Sequence, residues 1–114
     1  MKIKTIDINV NEGNTLIAKF MDCDCDVENL KYHSSWGYLM PVVEKINTHK
    51  FFYNDNAFTV RIDKRDVVIF CNIMRIKEIV HISWMSGKDT MLSMTYKAVI
   101  NFIKWYNERK NDDL

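Results

Sequence analysis

The sequence lacks most of the features that mark familiar functional classes. Its 114 residues include only three Gly and one Pro, so sharp turns are few. The longest unbroken apolar run, Val67–Cys71, is far shorter than the roughly 20 residues that span a bilayer. Residues 1–14 contain no apolar segment of the kind found in signal peptides. The sequence therefore predicts neither a membrane-spanning helix nor a secretory leader.

Cysteine is scarce and odd in number, with Cys23 and Cys25 nearly adjacent. This usage predicts a cytoplasmic protein with reduced thiols. The acidic segment 22–26 raises two further hypotheses, a vicinal redox pair and a metal or catalytic site completed by His33. Zinc sites usually combine a Cys pair spaced by two to four residues with a second pair, and neither feature is present. A solvated acidic loop is the favoured interpretation, and no metal or other cofactor is predicted.

No catalytic motif is recognisable either. His33 stands beside Ser34 and Ser35, but adjacent residues seldom present their side chains to each other in catalytic geometry. The glycine pattern of a nucleophile elbow and an obvious third group are both missing. The favoured interpretation is a serine cap at a helix start, with Trp36 packed beside it. The sequence predicts no catalytic residue and a protein that is not an enzyme.

Apolar side chains are what the chain has in quantity. Hydrophobic residues make up 47% and aromatic residues 12%, which allows a single domain with a core that needs no disulfide or metal. The net charge of +1 does not predict a polyanion partner. Acidic residues outnumber lysines in residues 1–30, and a mild basic excess falls in residues 57–86.

The apolar periodicity predicts an α+β fold. Two short N-terminal helices precede a three- to four-stranded antiparallel meander, and a long C-terminal amphipathic helix packs on the sheet. Asn11 is predicted to cap the first helix. The second helix is expected to run to about Asn47, with Pro41 causing either a kink or a fresh start. Its predicted apolar face consists of Leu39, Val42, Val43 and Ile46.

The strands and the last helix follow from a change of period. A hairpin turn is predicted at residues 54–56, after which residues 57–63 alternate between apolar and polar side chains. The apolar stretch 66–73 is predicted to be the central strand. Ser86 and Asp89 fit a capping box for the C-terminal helix. Its apolar stripe repeats at spacings of four and three residues: Leu92, Tyr96, Val99, Ile103 and Tyr106.

Two sets of residues are candidates for contact with a partner. One is the start of the second helix, where the core-facing stripe leaves Tyr32, His33 and Trp36 unexplained. The other is a group of cations on the meander that, together with nearby aromatic residues, suggests phosphate pairing and base stacking. A solvated sheet face is the alternative, because acidic residues dilute the group. The cations are Arg61, Lys64, Arg65, Arg75 and Lys77.

Two blocks, Tyr32–Ile46 "YHSSWGYLMPVVEKI" and Tyr96–Glu108 "YKAVINFIKWYNE", resemble a family of small proteins encoded by bacteriophages and prophages. Together they cover about a quarter of the chain. The chain differs from the family pattern at Gly37, where a polar residue is usual, and at residues 90–92, where the family is more charged. The second difference suggests added apolar surface near residues 91 and 94. The resemblance implies no catalytic residue, because none is established for the family.

The resemblance implies a non-catalytic protein that binds a host macromolecule in the cytoplasm of the host cell. Its sharpest form is an anti-CRISPR inhibitor that binds an RNA-guided nuclease and interferes with guide or target engagement. The expected partner is a host protein or ribonucleoprotein complex, with possible RNA contact and no membrane, and the chain itself is expected to be a monomer or homodimer. The alternative is a nucleic-acid-binding accessory protein of phage replication or expression.

Overall fold

The computed structural model describes residues 10–23, 26, 29–48, 58–71, 77–83 and 90–112, without the side chains of residues 77 and 109–112. The predicted α+β class is confirmed, with three helices and a three-stranded antiparallel sheet in the described part of the chain. The turn predicted at residues 54–56 lies outside these residues. In chain order the elements are α1 (Val10–Phe20), α2 (Trp36–Thr48), β1 (Phe58–Ile62), β2 (Asp66–Cys71), β3 (Lys77–Ser83) and α3 (Met91–Asp112).

The sheet is a meander in the order β1-β2-β3, with β2 in the centre as its apolar composition predicts. Phe58 is buried, Val60 and Ile62 are half-buried, and the residues between them are exposed. This alternation places one face of the sheet on the core. A register shift at Ile69/Phe70 leaves Ile79 of β3 unpaired, so Glu78 lies opposite Phe70.

A cluster of aromatic rings joins α1, β1 and α3 in the core. The Phe102 ring lies 4.9 Å from the Phe58 ring and 6.3 Å from the Phe20 ring, in edge-to-face contacts. Trp105 and Tyr106 are half-buried at the margin of the cluster and extend it along α3. Aromatic pairs in this geometry stabilise a core by about 0.5–1.5 kcal/mol each beyond the area they bury.

The ends of α1 show how local hydrogen bonding sets its length. Asn11 lies inside the helix, so its predicted capping role is wrong. At the other end, Cys23 N donates to Ala18 O and Asp22 N donates to Lys19 O, which is a Schellman motif. Asp22 therefore occupies the left-handed region, with φ 54°. Lys45 of α2 donates to the carbonyl of Phe20, which completes the cap.

The start of α3 also differs from the prediction. Thr90 Oγ1 accepts a hydrogen bond from Ser93 N at 3.0 Å, and Ser93 Oγ accepts one from Thr90 N at 2.9 Å. These reciprocal bonds form a capping box one turn later than the predicted pair, Ser86 and Asp89, which lies outside the described residues. The predicted apolar stripe of α3 is buried or half-buried along its length.

Helices α1 and α3 meet so closely at Gly13 that a side chain does not fit. A Cβ built on Gly13 would lie 2.2 Å from the Tyr96 hydroxyl and 2.7 Å from Ile100 Cδ1. Glycine inside a helix costs about 1 kcal/mol relative to alanine. The contact with α3 accounts for the glycine, since the side chains of Tyr96 and Ile100 would have to move to admit a Cβ.

We expect Gly13→Ala to lower the free energy of unfolding by about 1–3 kcal/mol, because overpacking outweighs the gain in helix propensity. Urea denaturation measures the effect. Gly37→Ala is the matched control, since a Cβ there meets only Ser35 Oγ at 3.5 Å. The control should be neutral or more stable by up to about 1 kcal/mol. Equal effects of both substitutions would contradict the close approach at Gly13.

Candidate functional site

The start of α2 is formed by two overlapping turns. Ser34 N and Ser35 N both donate to Lys31 O, and Ser35 O then accepts from Tyr38 N and Leu39 N. Ser35 is thus the residue immediately before the helix, in line with the predicted cap. The core-facing residues of α2 are buried as predicted: Leu39, Val42, Val43 and Ile46.

Pro41 lies within α2 and does not begin a new helix, so the predicted restart is wrong. A proline at this position removes the amide that would bind the carbonyl of Gly37. Gly37 is exposed, so water can hydrate that carbonyl and the helix continues. The proline thus adds an apolar ring to the exposed side of α2.

Three large apolar side chains are exposed within five residues of this helix start. Trp36 is 37% exposed, Tyr38 is 41% exposed and Met40 is 44% exposed. We call these three residues the α2 surface. Elsewhere in the described chain, only Val10 and Met91 are large apolar residues with comparable exposure. Trp36 and Met40, four positions apart, lie on the same side of α2, whereas Tyr38, two positions from each, projects from another side. Single exposed apolar residues are ordinary, whereas several within one short stretch suggest an interaction surface.

The other two candidates from this stretch are more buried than Trp36. Tyr32 is 6% exposed and its ring makes an edge-to-face contact with the Tyr38 ring at 6.0 Å. Burial, followed by the nearby Tyr38 hydroxyl, raises the pKa of Tyr32. His33 is half-buried against the Tyr96 ring. Of the three predicted contact residues, Trp36 is therefore the one with substantial exposure, and Tyr32 belongs to the core.

A buried amide links the helix start to the rest of the fold. Asn14 of α1 is 1% exposed, and its Nδ2 donates to Leu30 O at 3.0 Å and lies 3.2 Å from His33 Nδ1. The Tyr96 hydroxyl of α3 lies 3.1 Å from Asn14 Oδ1 and 3.3 Å from Val10 O. Both side-chain polar atoms of Asn14 thus have hydrogen-bond partners, which is the condition for burying an amide at low cost. The single Tyr96 hydroxyl hydrogen is shared between Asn14 Oδ1 and Val10 O, with Asn14 Oδ1 the nearer acceptor.

Among the cations predicted on the meander, Arg61 is paired with carboxylates. Arg61 Nε lies 3.3 Å from Asp63 Oδ2, and Arg61 Nη2 lies 3.7 Å from Asp66 Oδ2. The Arg61 guanidinium also covers the Phe70 ring. Its charge is therefore already engaged by carboxylates on the sheet face that alternation places away from α3.

The remaining predicted cations are placed differently. Lys64 and Arg65 are exposed at the β1–β2 turn, where Asp63 N donates to Asp66 O at 2.8 Å. Lys77 begins β3, opposite Cys71, with its side chain outside the description. Arg75 lies outside the described residues altogether. Among the predicted cations whose side chains are described, Lys64 and Arg65 have no carboxylate contact.

His81 and Ser83 on β3 superficially resemble part of a catalytic triad. Ser83 Oγ lies 3.5 Å from His81 Nε2, and Glu78 Oε2 lies 3.7 Å from His81 Nδ1. However, Asp66 Oδ2 lies closer to the same Nε2, at 3.0 Å, so that nitrogen is engaged by a carboxylate. The group is also exposed on the sheet. This arrangement is a group of polar contacts on the surface of the sheet, in which His81 is exposed.

Cysteine chemistry also differs from the prediction. Cys23, at the Schellman cap, takes part in a disulfide, so the expectation of fully reduced thiols is wrong for this residue. Cys71 is a free, half-buried thiol. Within the described residues, no group of three or more His, Cys, Asp or Glu side chains is placed to hold a metal ion.

No family model, curated protein or solved structure matches the chain. The candidate site therefore stands on its own geometry. None of the helices within the described ranges is long and apolar enough to cross a membrane.

Sequence reasoning missed Tyr38 and Met40 as members of the site. Both positions fall outside the stripe of Leu39, Val42, Val43 and Ile46, and a helical projection would have placed them toward solvent. The suggested apolar surface near residues 91 and 94 is half correct, because Met91 is 41% exposed and Met94 is buried at 1%.

Burial raises the pKa of Tyr96 from 10.0 to about 12. The un-ionised hydroxyl therefore contributes stability that is fully present below pH 10 and is lost as the pH rises toward 12. We expect the free energy of unfolding to fall by about 2–3 kcal/mol across this window through Tyr96. Urea denaturation at pH 8 to 12 measures it, using roughly half-unit steps.

Tyr96→Phe should flatten this alkaline loss while lowering stability at neutral pH, because Asn14 Oδ1 then loses its buried donor. Tyr38→Phe, which removes a hydroxyl from the surface, is the control. An alkaline slope that is unchanged in Tyr96→Phe would contradict the buried, hydrogen-bonded hydroxyl.

Proposed function

We propose that the chain is a non-catalytic binding protein that docks on another macromolecule through the α2 surface. The observation that carries the proposal is the concentration of Trp36, Tyr38 and Met40 in the first five residues of α2. Tryptophan and tyrosine are enriched among the residues that dominate binding energy at interfaces. Exposing them together offers no gain to an isolated domain, since each would be more stable buried.

The rigidity of this helix start supports the same proposal. The turn before α2 is tied to α1 by Leu30 and His33, and Tyr32 packs under Tyr38. A surface that is already ordered loses less conformational entropy on binding than a flexible one. An interface built on these residues can therefore form without reorganisation of the helix.

The sharpest form of the proposal follows from the phage and prophage resemblance. In that form the chain acts in the host cytoplasm as an anti-CRISPR inhibitor, which binds an RNA-guided nuclease and blocks its engagement with guide or target nucleic acid. A protein partner is consistent with the near-neutral charge of +1. It is also consistent with the pairing of Arg61 to two carboxylates, which lowers its availability for phosphate.

The test uses the tagged chain as bait in host lysate and a plaque assay of CRISPR interference. We expect wild type to retain the nuclease and to relieve interference. Trp36→Ala should weaken binding by about 2 kcal/mol or more, which is roughly thirtyfold in Kd. Met91→Ala, which removes a similarly exposed side chain from α3, should bind as wild type does.

Other outcomes separate the alternatives. Recovery of no specific host protein, with interference unchanged, would overturn the inhibitor. Mobility shifts on RNA and DNA at two salt concentrations test the nucleic-acid accessory role, for which the exposed pair Lys64 and Arg65 is the relevant surface. Binding that is lost in the double variant Lys64→Ala/Arg65→Ala and kept in Trp36→Ala would favour that role.

A further inference from the structure

The methionines in the described part of the chain differ widely in exposure. Met40 is 44% exposed and Met91 is 41% exposed, whereas Met94 is buried at 1%. Met21 is half-buried and packs against the core. Oxidation of a methionine by a peroxide requires access of the oxidant to its sulfur. Met40 and Met91 are therefore the described methionines that a peroxide reaches most readily while the protein stays folded.

The two exposed methionines lie in different surroundings. Met40 follows Trp36 by four positions, so the two side chains are neighbours on the same side of α2. Pro41, the next residue, is also exposed and apolar. Met91 begins α3 and is not part of the α2 surface. Oxidation at Met40 therefore changes the α2 surface beside its tryptophan, and oxidation at Met91 serves as an internal comparison.

We infer that Met40 is an oxidation-sensitive switch in the α2 surface, which a peroxide converts from an apolar to a polar side chain. The thioether sulfur gives two electrons to the peroxide, whose O–O bond breaks as an S–O bond forms and water leaves. A methionine sulfoxide reductase reverses the step, since two thiols become a disulfide and the oxygen leaves as water. The inference rests on the proposed function for its effect on binding, but not for the chemistry at Met40.

The sulfoxide opposes docking because water solvates its oxygen in the free protein. An interface that covers Trp36 also covers its neighbour Met40, and an apolar contact offers the sulfoxide oxygen no hydrogen-bond donor. Burial of a polar group without a partner is costly, so oxidation should weaken binding by about tenfold or more. The fold is spared, because the exposed Met40 is not among the buried residues of α2.

The chemistry is tested on the free protein with hydrogen peroxide. Peptide mapping by mass spectrometry should find sulfoxide at Met40 and Met91 well before Met94. The Trp36 indole ¹H–¹⁵N resonance should shift on oxidation of wild type but not of Met40→Leu, which keeps an apolar side chain of similar volume. The urea midpoints of the two oxidised proteins should agree. Equal oxidation of Met40 and Met94, an unmoved Trp36 indole, or a lower midpoint in oxidised wild type would overturn the inference.

The effect on binding is tested with the RNA-guided nuclease, each variant being compared with its own untreated form. Peroxide should weaken binding by wild type and by Met91→Leu about tenfold, and methionine sulfoxide reductase with a thiol should restore it. Binding by Met40→Leu should not change on treatment. Equal losses in Met40→Leu and wild type, or no loss in either, would overturn the switch. A chain that binds no nuclease before treatment would refute the inhibitor, and the free-protein measurements would then decide the chemistry at Met40.

Discussion

The rest of the structure depends on the close approach of α1 and α3 at Gly13 and Asn14. Gly13 leaves space for the Tyr96 hydroxyl, and Asn14 then uses that hydroxyl as the donor for its buried oxygen. The amide nitrogen of Asn14 reaches Leu30 and His33 in the turn before α2. One satisfied buried polar group thus joins two helices and the start of a third, whereas a partly satisfied group would be costly.

For function, this means that the residues of the α2 surface lie on a helix anchored to the buried core and not on a loop. Tyr32 supports Tyr38 from below, and His33 connects the helix start to Asn14. The remaining part of α1 is fixed separately, by the Schellman cap and by Lys45, whose ammonium also lies 4.5 Å from the centre of the Phe20 ring. These contacts order the residues that the proposed function uses before any partner arrives.

Much of the fold could be predicted because burial follows simple periods. The spacing of Leu39, Val42, Val43 and Ile46 identified the buried face of α2, and the uninterrupted apolar run of β2 identified the central strand. The start of α3 could not be predicted in the same way. The predicted capping box was a Ser-x-x-acid pattern, whereas the reciprocal bonds in the described residues join two hydroxyl side chains, those of Thr90 and Ser93.

The site was predictable only in part. Composition marks Tyr32, His33 and Trp36 as unexplained by the helical stripe, but only tertiary packing separates the buried Tyr32 from the exposed Trp36. Asn14 is a polar residue on a short helix, and the sequence alone would place it at the surface. In the fold, Tyr96, which is 82 positions away, hydrogen-bonds to it. Likewise, the sequence of the meander suggests a basic patch, but the fold places Asp66 Oδ2 3.7 Å from Arg61 Nη2.

The most direct measurement of the central constraint is a double-mutant cycle between Asn14→Ala and Tyr96→Phe, using urea denaturation at neutral pH. Because the two side chains share a buried hydrogen bond, the double variant should lose less stability than the two single variants together. The expected coupling energy is about 1 kcal/mol or more. Effects that add to within about 0.5 kcal/mol would contradict the account, since they would mean that α1 and α3 are joined without this interaction.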